Sequence, residues 1–149
     1  MKRIGIAATL QLFLVMLCGC VSFLPNQKED IYKNLTNVGE QLAKIQTTIA
    51  VDAPAKTEYA KVEPFYIAAL ASASLAGKAA TSRADYYNGR IPEVPAANSV
   101  KAIEFCRDAI EADRKEVKVN GFAANAADNL NILANTCSIA TTIEKLFVK

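Results

Sequence analysis

The chain has 149 residues, and its 17 lysines and arginines nearly balance 15 aspartates and glutamates, so the formal net charge at pH 7 is +2. Because nucleic-acid binding depends on concentrated positive charge, this composition provides no electrostatic basis for it. The chain has no histidine, which removes the commonest general base and a frequent metal ligand.

The N-terminal segment has the pattern of an export signal. A basic head, Lys2 and Arg3, precedes an apolar run from Ile4 to Leu17, and the motif Leu17-Cys18-Gly19-Cys20 closes the segment. The segment resembles the signal peptide of bacterial lipoproteins, in which an apolar residue lies three places before a cysteine and a small residue directly precedes it. The resemblance implies that Cys20 carries diacylglycerol and a further acyl chain such as palmitate, and that residues 1–19 are removed.

Two other interpretations of this segment differ in their physical support. A transmembrane helix needs about 20 apolar residues to cross roughly 30 Å of hydrocarbon, whereas this run is shorter and is interrupted by Thr9 and Gln11. We therefore do not expect a retained transmembrane anchor. Secretory cleavage after Gly19 without lipid remains an alternative, but a cysteine directly after Leu-x-Gly favours lipidation. Cys18 fits the lipid site poorly because bulky Leu17 precedes it.

Lipidation at Cys20 changes what the rest of the chain must do. The mature chain, 20–149, has the size of one domain, and the loss of Lys2 and Arg3 makes its basic residues equal in number to its acidic ones. Attachment to the membrane would therefore come from the acyl chains. The tether at 20–25 reaches about 20 Å at most, so we expect the domain to lie close to the bilayer on the periplasmic face. By analogy with enteric lipoproteins, the absence of aspartate after Cys20 points to the outer membrane.

The first predicted helix runs from about Gln27 to Ala50. Asn26 followed by Glu29 is typical of a capping box at its N-terminus. Apolar residues then recur at alternating spacings of four and three, which predicts one buried stripe that needs partner helices to cover it. The stripe consists of Ile31, Leu35, Val38, Leu42, Ile45 and Ile49.

The second predicted helix follows a turn at Val51–Lys56, is interrupted or begun afresh at Pro64, and ends at Tyr87. Small residues dominate it and predict close contact with neighbouring helices in a bundle. They lie along two adjacent lines: Ala69, Ala73, Gly77 and Ala80, and Ala68, Ser72 and Ala76. A membrane dimerisation face is the other interpretation of such small residues, but charged residues interrupt the lines.

An irregular connection is predicted over residues 88–98, where Asn88-Gly89 ends the second helix and two prolines follow. The third helix is predicted from Asn98 or Ser99 to Asn120, and the fourth from Phe122 to Phe147. Inward residues are predicted to be Val100, Ile103, Cys106, Ile110 and Val117 in the third, and Ala126, Leu130, Leu133, Cys137 and Ala140 in the fourth, widened by Ile132, Ile139, Ile143 and Leu146. The chain from residue 26 to 149 thus predicts an all-α, antiparallel up-down-up-down four-helix bundle.

The cysteine spacing predicts one disulfide between the third and fourth helices. Gly121 lies almost midway along the sequence between Cys106 and Cys137. If the helices fold back at that glycine, each covers about 23 Å at 1.5 Å per residue and the thiols reach the same level. An oxidising compartment would then join them. A metal site or a redox centre would need histidine, methionine or CxxC partners that the mature chain lacks, which leaves two unpaired thiols as the alternative.

The sequence contains no recognisable catalytic motif. Serines such as Ser72 have no histidine to activate them. The carboxylate pairs of the third helix, Glu104 with Asp108 and Glu111 with Asp113, alternate with arginine and lysine and predict a solvated face with ion pairs. We accordingly predict no enzymatic activity, no cofactor and no metal.

One segment has the composition of a recognition site. Arg83, Tyr86, Tyr87 and Arg90 gather near a helix end beside a proline-stiffened loop, and tyrosine and arginine are enriched where interfaces concentrate their binding energy. We treat these four residues as candidate partner contacts. The alternative is that one tyrosine packs into the bundle end while the arginines are only hydrated.

The sequence as a whole favours a non-enzymatic, membrane-proximal lipoprotein whose bundle binds another cell-envelope protein in an assembly, accessory or exclusion role. An alternative is a carrier of a small apolar ligand between the helices, which would require an internal cavity. A weaker alternative is an enzyme that uses carboxylates alone, which would require two acidic side chains converging in a cleft.

Overall fold

Residues 27–90 and 93–146 are described by a computed structural model of the chain. They form four helices: α1 (Gln27–Asp52), α2 (Tyr59–Tyr87), α3 (Glu93–Asn120) and α4 (Ala126–Leu146). A single 3₁₀ turn, Pro54–Lys56, lies between α1 and α2, and no described residue lies in a strand. The prediction of an all-α fold is confirmed.

The helices pack as an antiparallel bundle in which each one packs mainly against two neighbours. α1 packs against α2 and α4, and α3 packs against the same two helices. The start of α1, the end of α2, the start of α3 and the end of α4 therefore share one end of the bundle, which we call the proximal end. The opposite end, which we call the distal end, carries the turns from α1 to α2 and from α3 to α4. This arrangement is the predicted up-down-up-down topology.

The core forms where the predicted apolar stripes meet. All six residues of the α1 stripe are buried, and Tyr66 of α2 is the largest side chain with no exposed surface. On α2, Ala69, Ala73, Ala76 and Ala80 are all fully buried. Their small side chains lie on the side of α2 that faces the other helices, as the sequence predicts.

The turn between α1 and α2 differs in detail from the prediction. α1 continues through Asp52, Ala53 then takes a positive φ of 63°, and its carbonyl accepts hydrogen bonds from the backbone N–H and the hydroxyl of Thr57. α2 begins before Pro64 and passes through it without a break. The helix tolerates this proline because Pro64 and Ala60, whose carbonyl loses its helical donor, are both exposed, so water can replace the missing bond.

The connection between α2 and α3 is shorter than predicted. α3 begins at Glu93, and Pro95 occupies its first turn, where a proline is tolerated because the backbone N–H groups have no helical acceptor. The two glycine terminators are confirmed, since Gly89 and Gly121 have φ values of 70° and 72°. The N–H of Gly121 also donates to the carbonyl of Val117 at 2.9 Å, which closes the last turn of α3.

The fourth helix begins at Ala126 rather than at Phe122. Its predicted inward stripe is buried: Ala126, Leu130, Leu133, Cys137 and Ala140. Two residues expected to widen that stripe lie on the outer surface of the bundle instead. Ile132 is 66% exposed and Ile139 is 55% exposed. Each precedes a buried residue by one position, and this rotates it about 100° away from the core.

The predicted pairing of cysteines is confirmed. The Sγ atoms of Cys106 and Cys137 lie 2.01 Å apart and their Cα atoms 4.7 Å apart, which joins α3 to α4. The predicted signal peptide, the lipidation site at Cys20, the cap at Asn26 and the end of the fourth helix at Phe147 lie outside the described residues. Within residues 27–90 and 93–146, the helices fall short of the length and apolarity that crossing a membrane requires.

Removal of the disulfide should weaken the bundle without changing its topology. The bond closes a loop between cysteines that are 31 residues apart in the sequence. On the chain-entropy model, Cys106→Ala with Cys137→Ala should lower the free energy of unfolding by about 3 to 4 kcal/mol. Urea unfolding followed by circular dichroism measures the loss. Two results would contradict the bond. One is a wild-type protein that is equally stable with and without reductant, and the other is a digest made without reductant that lacks the peptides linked through Cys106 and Cys137.

Candidate functional site

A buried ionic cluster joins three helices near the proximal end. The Nη1 and Nη2 atoms of Arg83 on α2 each lie 2.6 Å from a carboxylate oxygen of Glu144 on α4. Nη2 also donates to the Oγ of Ser99 on α3 at 2.8 Å, and the Ser99 hydroxyl donates to Glu144. Arg83 is 6% exposed, while Ser99 and Glu144 are fully buried. The guanidinium and the carboxylate therefore compensate each other inside the bundle.

This cluster corrects the interpretation of Arg83 as a surface contact. Arg83 falls three residues after Ala80 on the buried side of α2, and Glu144 falls four residues after Ala140 on the buried side of α4. Ser99 lies one helical turn before Ile103 on the buried side of α3. The sequence carried this signal, since each polar residue continues an apolar stripe, but the match between residues 61 positions apart required the tertiary structure.

The other three predicted contact residues form one cluster at the proximal end, which we call the Tyr-Arg cluster. The rings of Tyr86 and Tyr87 meet edge to face with centroids 5.1 Å apart, and the Cζ atom of Arg90 lies 4.8 Å from the centroid of the Tyr86 ring. Tyr86 is 43% exposed. The N–H of Arg90 donates to the carbonyl of Tyr87 at 2.8 Å, and that of Gly89 donates to Glu93 at 3.2 Å. These two bonds fix the backbone of the turn that carries Arg90.

A second exposed feature, which the sequence analysis missed, runs along α4. Residues 129–143 contain no charged side chain, and four of them lie on the outward side at spacings of three, four and three. These four residues, which we call the α4 face, are Ile132, Asn135, Ile139 and Thr142, and all are exposed. The cores of protein interfaces are likewise depleted of charge relative to the remaining surface.

The carboxylates of α3 have two different environments. Glu111 accepts bonds from Arg114 at 3.0 and 3.1 Å and lies 3.5 Å from Lys115, and these cations lower its pKa, with the bond from Arg114 the largest cause. This agrees with the predicted solvated face. Asp113 departs from it, because it is partly buried and accepts a hydrogen bond of 2.5 Å from the hydroxyl of Tyr66.

Burial determines the titration of the Tyr66 and Asp113 pair. Burial raises the pKa of Asp113, and the bond from Tyr66 partly opposes that rise. Burial, followed by the bond to Asp113, raises the pKa of Tyr66 well above its usual range. Asp113 and Glu116 also line a cavity of about 170 Å³ between the end of α3 and the start of α4. That volume is smaller than the roughly 300 Å³ at which small-molecule pockets begin.

The larger cavities are open grooves on the outside of the bundle. One of about 470 Å³ lies between α1 and Phe65 of α2, and another of about 590 Å³ lies between α2 and α3 beside Lys78 and Arg107. Neither groove enters the core between the helices, where buried side chains meet. Among residues 27–90 and 93–146, no group of three or more cysteine, aspartate or glutamate side chains is placed to hold a metal ion.

Comparison with known protein families, curated proteins and solved structures finds no match to this chain. Function therefore has to be inferred from the surfaces and clusters described above.

Truncation of one partner of the buried ion pair should be more damaging than removal of both. Glu144→Leu leaves the guanidinium of Arg83 buried without its carboxylate, so the free energy of unfolding should fall by about 3 to 5 kcal/mol. Arg83→Leu combined with Glu144→Leu should recover much of that loss because the uncompensated charge disappears. Urea unfolding of the two single variants and the double variant measures the coupling.

The matched control is the ion pair of Lys61 and Asp52, whose Nζ and Oδ2 atoms lie 2.7 Å apart with the lysine side chain half exposed. Asp52→Ala should cost less than about 1 kcal/mol. Additive losses at Arg83 and Glu144, with no recovery in the double variant, would contradict the compensation.

The raised pKa of Tyr66 predicts a stability loss in alkali. As the pH rises above about 10, tyrosine ionises in the unfolded chain before it does so in the folded chain, so the free energy of unfolding falls. Tyr66→Phe should reduce this decline, and part of it should remain because burial also raises the pKa of Tyr59. At pH 7 the same variant should lose about 1 to 3 kcal/mol because the buried carboxylate loses its donor.

Urea unfolding at neutral and alkaline pH checks both parts of this prediction, with Tyr32→Phe as the control at an exposed tyrosine. Tyr66→Phe also removes the bond that lowers the pKa of Asp113, so that pKa should rise further. An unchanged alkaline slope in the Tyr66 variant would show that this pair does not govern the decline.

Proposed function

We propose that this chain is a non-enzymatic bacterial lipoprotein, held by acyl chains on Cys20 at the periplasmic face of the outer membrane, whose bundle binds another envelope protein. The observation that carries the proposal is the α4 face, where two isoleucines stand exposed on a helix surface without charge. Burial of an isoleucine side chain contributes roughly 1.5 to 3 kcal/mol. A partner surface of the same uncharged, apolar character would gain this contribution at both positions.

The chemistry of the α4 face indicates what kind of partner suits it. The hydroxyl of Thr142 donates to the carbonyl of Ser138 at 3.0 Å, within the same helix, so burial of this threonine leaves its hydroxyl satisfied. Asn135 is exposed between the two isoleucines and offers both a donor and an acceptor. We infer that the partner contributes apolar side chains around one hydrogen-bonding group, in the manner of another amphipathic helix.

The attachments of α4 on its inward side favour this role. Cys137 bonds α4 to α3, and Glu144 binds Arg83 of α2. These two residues bracket Ile139 along the chain and lie on the side of α4 opposite to it. A helix fixed in this way loses little conformational freedom when a partner binds its outer surface, and such preorganisation favours affinity.

Two further features support the proposal: the predicted acyl anchor, and buried acidic groups that are hydrogen-bonded within the bundle. Two or three acyl chains hold a protein on a membrane much more firmly than one, and a mature chain with balanced charges needs no anionic lipid for attachment. The buried acidic group Glu144 and the partly buried Asp113 each accept hydrogen bonds from neighbouring side chains. An assembly, accessory or exclusion role requires only that the bundle presents a stable surface at the membrane.

The decisive experiment places a photo-crosslinking amino acid at position 135, in the middle of the α4 face, in cells that express the full chain. We expect one discrete adduct with an envelope protein. The same label at the exposed position Glu40 on α1 should give none. Ile132→Asp with Ile139→Asp should abolish the adduct while the melting temperature changes little, because both side chains are already exposed.

Labelling with palmitate in the same cells tests the anchor. The wild-type protein should take up the label, and Cys20→Ser should lose both the label and the adduct. Equal crosslinking at positions 135 and 40, or an adduct that survives the double aspartate variant, would contradict the binding role. An adduct between two copies of this chain would show instead that the α4 face mediates self-association.

A further inference from the structure

We propose that the proximal end of the bundle rests on the phospholipid headgroups of the membrane, with Tyr86, Tyr87 and Arg90 as the contact residues. This inference rests on the proposed acylation of Cys20 and adds the orientation of the bundle to it. Three features support this orientation: the point where the chain enters the bundle, the location of its tyrosines, and the geometry of the Tyr-Arg cluster.

The entry point of the chain limits how far the proximal end can lie from the bilayer. α1 begins at Gln27, only seven residues after Cys20. Even a fully extended chain of this length reaches about 25 Å at most. Because α1 begins at the proximal end, the tether limits the distance of this end from the acylated sulfur, whereas the 26 residues of α1 separate the distal end from the tether. The residues of the turn between α2 and α3 share the proximal end with the start of α1.

The exposed tyrosines lie at the same end. Of the five tyrosines in the chain, Tyr32, Tyr86 and Tyr87 lie within two turns of the proximal ends of their helices, and Tyr32 and Tyr86 are 42% and 43% exposed. Tyr66, by contrast, is fully buried in the core. Tyrosine is enriched at the level of lipid headgroups because its ring is apolar and its hydroxyl is polar. A gathering of exposed tyrosines at the end nearest the lipid anchor fits that environment.

The Tyr-Arg cluster has groups that match a phospholipid headgroup. The rings of Tyr86 and Tyr87 are already packed edge to face, and the guanidinium of Arg90 lies over the ring of Tyr86. A guanidinium binds phosphate through paired hydrogen bonds, and it also stacks on aromatic rings without losing its donors. Because the guanidinium of Arg90 already lies 4.8 Å from the centroid of the Tyr86 ring, it can bind a phosphate while that ring contact is kept.

The charges around the cluster indicate which lipids it requires. Among the described residues within two turns of the proximal end, five cations and five acids balance: Lys28, Lys33, Arg83, Arg90 and Lys145 against Glu29, Asp30, Asp85, Glu93 and Glu144. Such a surface has no net attraction to anionic lipid. The contact should therefore depend on the phosphate group that all phospholipids share and on insertion of the tyrosine rings, and it should vary little with salt.

This orientation leaves the α4 face free for a protein. With the proximal end on the membrane, the helix axes are roughly perpendicular to the membrane plane, and the outer side of α4 faces sideways, parallel to that plane. The Tyr-Arg cluster and the α4 face would then contact different partners, the first a lipid surface and the second a protein.

The chain contains no tryptophan, so a single introduced tryptophan reports its own position. The acylated full-length protein carrying Tyr86→Trp is purified from membranes and reconstituted in phosphatidylcholine vesicles, some of which contain brominated chains. We expect the fluorescence of the tryptophan at position 86 to peak at a shorter wavelength than that of a tryptophan exposed to water. We also expect brominated lipid to quench this fluorescence. Val51→Trp, at an exposed position near the distal end, is the matched control and should show neither effect. Arg90→Gln added to Tyr86→Trp should reduce the quenching.

Flotation of the vesicles separates this inference from the proposed function. If the wild-type protein does not float with the vesicles, the anchor is absent and both proposals fail. If the protein floats but the tryptophan at position 86 is not quenched, the anchor stands and the inference is wrong. A photo-crosslinker at position 87 that captures an envelope protein in that case would show that the cluster binds protein instead of lipid.

Discussion

The buried contact between Arg83 and Glu144 constrains the register of three helices. Removal of a charge from water costs several kcal/mol even after relaxation, so the carboxylate of Glu144 requires a partner that reaches it inside the bundle. Arg83 reaches it from α2, and Ser99 completes the contact from α3. These bonds form only when α2, α3 and α4 stand at matching heights near the proximal end. The position of α4, and hence of its outer surface, follows from that match.

The disulfide adds a second constraint at a different height on the same helix. Cys137 lies two helical turns before Glu144, so α4 is attached covalently to α3 and electrostatically to α2. The two attachments lie on one side of α4, and on the other side the stretch 129–143 carries no charge and contains the four exposed residues of the α4 face. The residues that attach α4 to the bundle also determine which residues of α4 point outward. The same contacts that stabilise the bundle therefore expose the α4 face.

The two ends of the bundle differ in chemistry. The distal end carries the buried bond between Tyr66 and Asp113, whereas the proximal end carries exposed tyrosines and Arg90 beside the start of α1. An up-down bundle places the chain entry and the turn between α2 and α3 at the same end. The connectivity alone therefore brings residues far apart in the sequence, such as Gln27 and Tyr87, to one surface.

The sequence by itself determined the helical class, the inward stripe of α1 and the pairing of Cys106 with Cys137, because helical periodicity and rise are local properties that residue spacing reveals. Only the tertiary structure decided the roles of Arg83 and Ile139. Arginine suits both a hydrated surface and a buried ion pair, and its role depends on a carboxylate 61 residues away. Isoleucine suits the core, but α4 packs along its length against α1 and α3 and meets α2 on its inward side through Glu144, so no described helix covers the side that carries Ile139.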